Sequence, residues 1–66
     1  MNLDVQQFAE ALQKMIRKDM NNLADDLAGN QCKSMEDYRF ITGRIQGLAN
    51  AEGYLVDLAH KFEEAE

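Results

Sequence analysis

Asp57, His60 and Glu64 stand at i, i+3 and i+7 near the end of the chain, a spacing that sets three metal-ligating side chains along one face of a helix. A bound ion would need further carboxylates facing it from another element. The first half of the chain supplies only isolated acids for that purpose, such as Asp4 and Glu10. We therefore expect no metal site, and read His60 as a residue at the surface or edge of a helical assembly. Cys32 is the single cysteine, with Lys33 beside it and the single histidine about 28 residues away. A nucleophilic thiol needs a neighbouring base and a positive local field, so Cys32 reads as an ordinary loop thiol. The chain has no phosphate-cradling glycine loop and no paired-carboxylate cleft. The expectation is that it is not an enzyme and uses no cofactor.

Lys14, Arg17 and Lys18 form a small basic cluster, which raises nucleic-acid binding as a third kind of chemistry. The formal net charge of −5 opposes it, because phosphate binding needs a concentrated basic face. The charge is also uneven: residues 1–33 hold five acids and four bases, residues 34–66 seven acids and three bases. At the end, "KFEEAE" crowds Glu63, Glu64 and Glu66 at the negative pole of a helix, where fraying is expected.

The elements that carry these residues follow from periodicity. Val5, Phe8, Leu12, Ile16, Met20, Leu23 and Leu27 recur at spacings of three and four, which predicts a helix over about 3–28. Asn2 or Asp4 can cap its start, and Gly29 with Asn30 predicts a left-handed stop. After a loop over about 29–34, Ser34 and Asp37 stand at capping-box spacing, with aspartate in place of the preferred Glu or Gln. A second helix is predicted over about 35–63. Its first stripe is Tyr38, Ile41, Ile45, Leu48, Leu55 and Phe62. Two long helices joined by a short loop make an antiparallel hairpin, so the fold class is all-α and residues 1–66 form one domain that ends in an acidic tail.

The second helix carries an adjacent stripe of Phe40, Gly43, Gly47, Ala51, Tyr54 and Leu58. Glycine inside a helix costs roughly 1 kcal/mol relative to alanine, and Gly43, Gly47 and Gly53 all fall there. Small residues four apart let another backbone or a bulky side chain approach closely. We take these six residues as partner-binding. Gly53 lies off the stripe, where a local bend or close contact is the expectation. One helix of a hairpin cannot cover both stripes, and a chain of this length rarely supplies more than roughly 3–5 kcal/mol from its own core. A helical bundle with a second copy or another protein is therefore expected.

The run "LADDLAGNQCKSMEDYRFITGRIQGLANAE" resembles a class of small, mostly uncharacterised proteins encoded by tailed bacteriophages near their virion structural genes. The resemblance rests on Leu23-Ala24, Leu27-Ala28-Gly29, Tyr38-Arg39 and Gly43-x-Ile45-x-Gly47-Leu48, about half of the chain. It implies a phage context and a non-enzymatic role in the particle or its assembly. The architecture also resembles the Rop class of plasmid copy-number proteins, helical hairpins that dimerise and bind paired RNA loops; this implies an RNA-binding alternative. A second alternative is an acidic, phage-encoded inhibitor steered onto a basic site of a host enzyme or defence protein. No apolar run approaches the roughly 20 residues of a membrane span, and "MNLDVQQ" lacks the pattern of a secretory signal. The expected location is the host cytoplasm during infection, or the virion, with no membrane partner.

Overall fold

A computed structural model describes residues 4–29 and 33–65, except for the side chains of residues 64 and 65. Two helices account for nearly all of it: α1, Val5–Ala28, and α2, Met35–Ala65. They pack side by side as an antiparallel hairpin, with no strand among the described residues. Asn2, Asn30, Cys32 and Glu66 lie outside the described residues.

Local chemistry sets the helix ends. Asp4 caps α1 in extended backbone, its Oδ1 accepting from the Gln7 amide at 2.7 Å while the Asp4 amide donates to Gln7 Oε1 at 3.2 Å. Two otherwise orphaned amides are thereby satisfied. At the other end Gly29 has φ −91° and ψ 17°, not the left-handed geometry that the sequence suggests. Its amide simply continues the ladder to the Asp25 carbonyl at 2.8 Å. At the start of α2, Ser34 Oγ accepts from the Asp37 amide at 3.1 Å. Asp37 Oδ2 accepts from the Lys33 amide at 3.2 Å, one residue beyond the position a capping box uses. Glu36 and Asp37 in the first turn favourably face the positive pole of α2. The acidic end of α2 stays helical through Ala65, with no basic residue in its last turn.

Between the helices runs a seam from Ile41 through Ile45, Leu48 and Leu55 to Ala59, against Ile16, Met20, Leu23 and Leu27 near the loop and Ala9 at the far end. Leu23, 6% exposed, is the one described residue that is buried. The seam departs from the expected stripes on both helices: on α1, Ala9 and Gln13 face inward where the periodicity predicts Val5, Phe8 and Leu12, and on α2 Tyr38, 50% exposed, lies off the row. Two further departures fall on α2. Glu52 occupies the step between Leu48 and Leu55, and Phe62, 58% exposed, sits at the edge of the seam rather than inside it. The spacing explains both: 41, 45, 48, 52, 55 and 59 alternate by four and three, so the inward row continues through Glu52 and Ala59.

The result is a slab one helix thick, 49 × 21 × 13 Å, with a radius of gyration of 15.2 Å. A compact chain of this length would have about 11 Å. The accessible surface is 5535 Å², against about 4,200 Å² for a compact folded protein of this mass. Two helices alone leave much apolar surface uncovered.

Candidate interaction surface

The two broad sides of the slab differ in chemistry. At about 100° per residue, Phe40, Gly43, Gly47, Ala51, Tyr54 and Leu58 centre roughly 110° round α2 from the row that faces α1. They therefore line one broad side. Phe40 is 66% exposed, Tyr54 67% and Leu58 53%, so three large apolar side chains stand in solvent. Ala51 is half-buried at the margin of the seam. Gly43 and Gly47 open outward: a Cβ built on either meets no heavy atom within 4 Å. The trough between the large residues is thus floored by backbone and vacant on its outer face. Arg44 holds its guanidinium 5.8 Å from the centroid of the Phe40 ring, which keeps that ring beside a cation at the margin of the trough.

α1 contributes to the same side. Phe8 joins Leu58 and Phe62 around an apolar groove of about 330 Å³ near the chain ends, and Met15 is exposed farther along. These residues extend the surface beyond the α2 stripe that periodicity marks out. Phe8 reads as core in sequence because its spacing fits the α1 stripe. Its actual place is the flank of that stripe, where a two-helix slab offers nothing to cover it. Met15 fits neither stripe, and only the packed pair reveals that its face continues that of α2.

The opposite side is mixed: polar residues dominate its centre, while Val56 and, toward the loop, Tyr38 and Met35 are exposed on it. Gln6, Glu10, Gln13, His60 and Glu63 surround a shallow depression on it, and the α1–α2 ion pair lies along the same side. Arg17 Nε approaches Glu52 Oε2 to 2.7 Å, and Arg17 Nη2 donates to Glu52 Oε1 at 3.2 Å. The shorter approach is misaligned for a hydrogen bond, so buried Oε2 has an ionic neighbour but no aligned donor. Arg17 is therefore not a free member of the Lys14–Arg17–Lys18 cluster. Gly53 also faces away from the trough, with open space where a Cβ would stand and no close contact. Thr42 donates back to the Tyr38 and Arg39 carbonyls at 2.9 and 3.1 Å, satisfying its hydroxyl within the helix.

His60 and Asp57 lie on α2 toward its end, and the side chain of Glu64 is outside the described residues. Among the described residues, no three His, Cys, Asp or Glu side chains are grouped to hold a metal ion. Nor is any helix there long and apolar enough to cross a membrane. Comparison with protein-family models, curated proteins and solved structures finds no match.

Proposed function

We propose that this chain is a non-enzymatic protein-interaction module, a small component of a bacteriophage particle or of its assembly, and that it binds through the apolar broad side. The observation that carries the binding reading is that Phe40, Tyr54 and Leu58 stand in solvent around a trough left open by Gly43 and Gly47. A cluster of large apolar side chains standing in solvent around a recess is characteristic of a binding face. Aromatic side chains flanking a recess are the usual anchors of such faces. The phage context is supported by the sequence resemblance over residues 23–52. On this reading the protein acts in the host cytoplasm during infection or in the particle.

The test is incorporation into washed virions. The parent chain should co-purify with particles, while Phe40→Ala or Tyr54→Ala should reduce incorporation about tenfold or more, the equivalent of roughly 1–3 kcal/mol at an interface anchor. His60→Gln should be incorporated as the parent is. A chain found only in infected-cell lysate, and absent from washed particles, would favour the acidic-inhibitor reading.

A further inference from the structure

We infer that the occupant of the apolar side is a second copy of this chain, stacked so that the two α2 helices cross antiparallel about a two-fold axis between Asn50 and Ala51. This rests on the reading of that side as a binding face and adds its partner and register.

The first argument is size. A broad side of 49 × 21 Å projects to about 1,000 Å², so two copies stacked on it would cover about 2,000 Å² in total. That reaches the lower end of the range of obligate homodimers, about 2,000–5,000 Å². The projected side exceeds the roughly 800 Å² that each partner brings to a standard interface. Stacking two slabs 13 Å thick also turns a single helical layer into the two-layer arrangement of a four-helix bundle.

The second argument is the order of small and large residues along the trough. Toward its N-terminal half the stripe is vacant at Gly43 and Gly47; toward its C-terminal half it is filled by Tyr54 and Leu58, with Ala51 between. A two-fold axis makes an interface isologous, so that if one residue meets a second, the second also meets the first. Gly47 and Tyr54 are equally far from the point between Asn50 and Ala51, and so are Gly43 and Leu58. In the antiparallel register each Tyr54 enters the recess over Gly47 of the other copy, and each Leu58 the recess over Gly43. Phe40 comes level with Lys61 and Phe62 of the second copy, where an aromatic pair and a lysine stem close the ends. The stripe is its own complement. An unrelated partner would have no reason to match this internal symmetry.

The experiment uses the full chain carrying Cys32→Ser. Sedimentation equilibrium should give a species of twice 7.5 kDa, and Ala51→Cys, next to the axis, should form an intermolecular disulfide on mild oxidation. Gly47→Tyr should weaken association at least about tenfold by filling the recess. Adding Tyr54→Ala to Gly47→Tyr exchanges knob and hole on every copy, and should recover most of that loss. Circular dichroism of each variant separates loss of association from loss of helix. A chain that remains monomeric up to millimolar concentration overturns the inference, as does a dimer that Ala51→Cys does not link, or one in which the double substitution associates no better than Gly47→Tyr alone. If the chain is monomeric yet Phe40→Ala and Tyr54→Ala still lose incorporation into particles, a different protein occupies this side and the proposed function stands. If those two variants enter particles normally, the proposed function fails whatever the oligomeric state.

Discussion

Arg17 on α1 and Glu52 on α2 meet at the margin of the interhelical seam, the guanidinium fork reaching both carboxylate oxygens, at 2.7 and 3.2 Å. Their side chains differ in burial: Arg17 is 63% exposed and Glu52 19%. The carboxylate thus occupies an inward step of α2 and the arginine covers it from the solvent side, its charge still largely hydrated. A pair of this kind contributes little to stability. Its effect is on register, because sliding one helix along the other would bury Glu52 beside Leu or Ile without a cation.

Replacing the carboxylate with a hydrocarbon tests that division of roles. Glu52→Leu should leave the melting temperature unchanged or raise it, since a leucine continues the row formed by Leu48 and Leu55. A double-mutant cycle on Arg17→Ala and Glu52→Gln should give a coupling of about 1 kcal/mol or less, falling as salt is added. If Glu52 sets register, the leucine variant should also show a broader distribution of oligomers in sedimentation velocity. A single sharp species would count against that role.

The N-terminal cap yields a local prediction. Asp4→Ala removes the acceptor for the Gln7 amide and should cost about 1 kcal/mol. Amide hydrogen exchange should show the loss concentrated in the first turn of α1. Asp4→Asn should retain most of the protection.

Gly47 and Gly53 have the same freedom in the isolated hairpin, and would have opposite surroundings in the proposed stacked pair. Gly53→Leu should therefore be tolerated and should raise helix stability by up to about 1 kcal/mol, read from the melting temperature. Gly47→Leu should raise monomer helicity similarly but lower the association constant. Equal effects of the two substitutions on association would show that the trough is not an interface.

Charge yields a prediction about salt. Each copy carries a formal −5, and bringing two together works against that repulsion. Raising ionic strength from low to physiological should strengthen self-association, because the attraction is apolar and the opposition is screened. Binding to a basic host protein would weaken over the same range, so this titration also separates the two functional readings.

Both helices are legible in the sequence because their apolar residues recur at three and four over long runs, and the short connection between them dictates the hairpin. The stripe on α2 is legible for the same reason. Two differences required the packed pair, and a third is local. The place of Glu52 in the seam is hidden because a charged residue interrupts an apolar pattern at the step where the pattern should continue. Phe8 is hidden because spacing identifies a helix face but does not say how wide a face one neighbour can cover. The stop at Gly29 differs from expectation because a glycine permits left-handed backbone without requiring it.

The side of the hairpin opposite the trough bears on stoichiometry. A plate adhesive on both surfaces would pile up without limit, each added layer presenting a fresh sticky surface to the next. A plate adhesive on one surface stops growing as soon as a two-fold mate covers it. In the proposed dimer, the polar centre of the reverse side, with Gln6, Glu10 and the Arg17–Glu52 pair, would disfavour a third layer, so that growth would end at two copies.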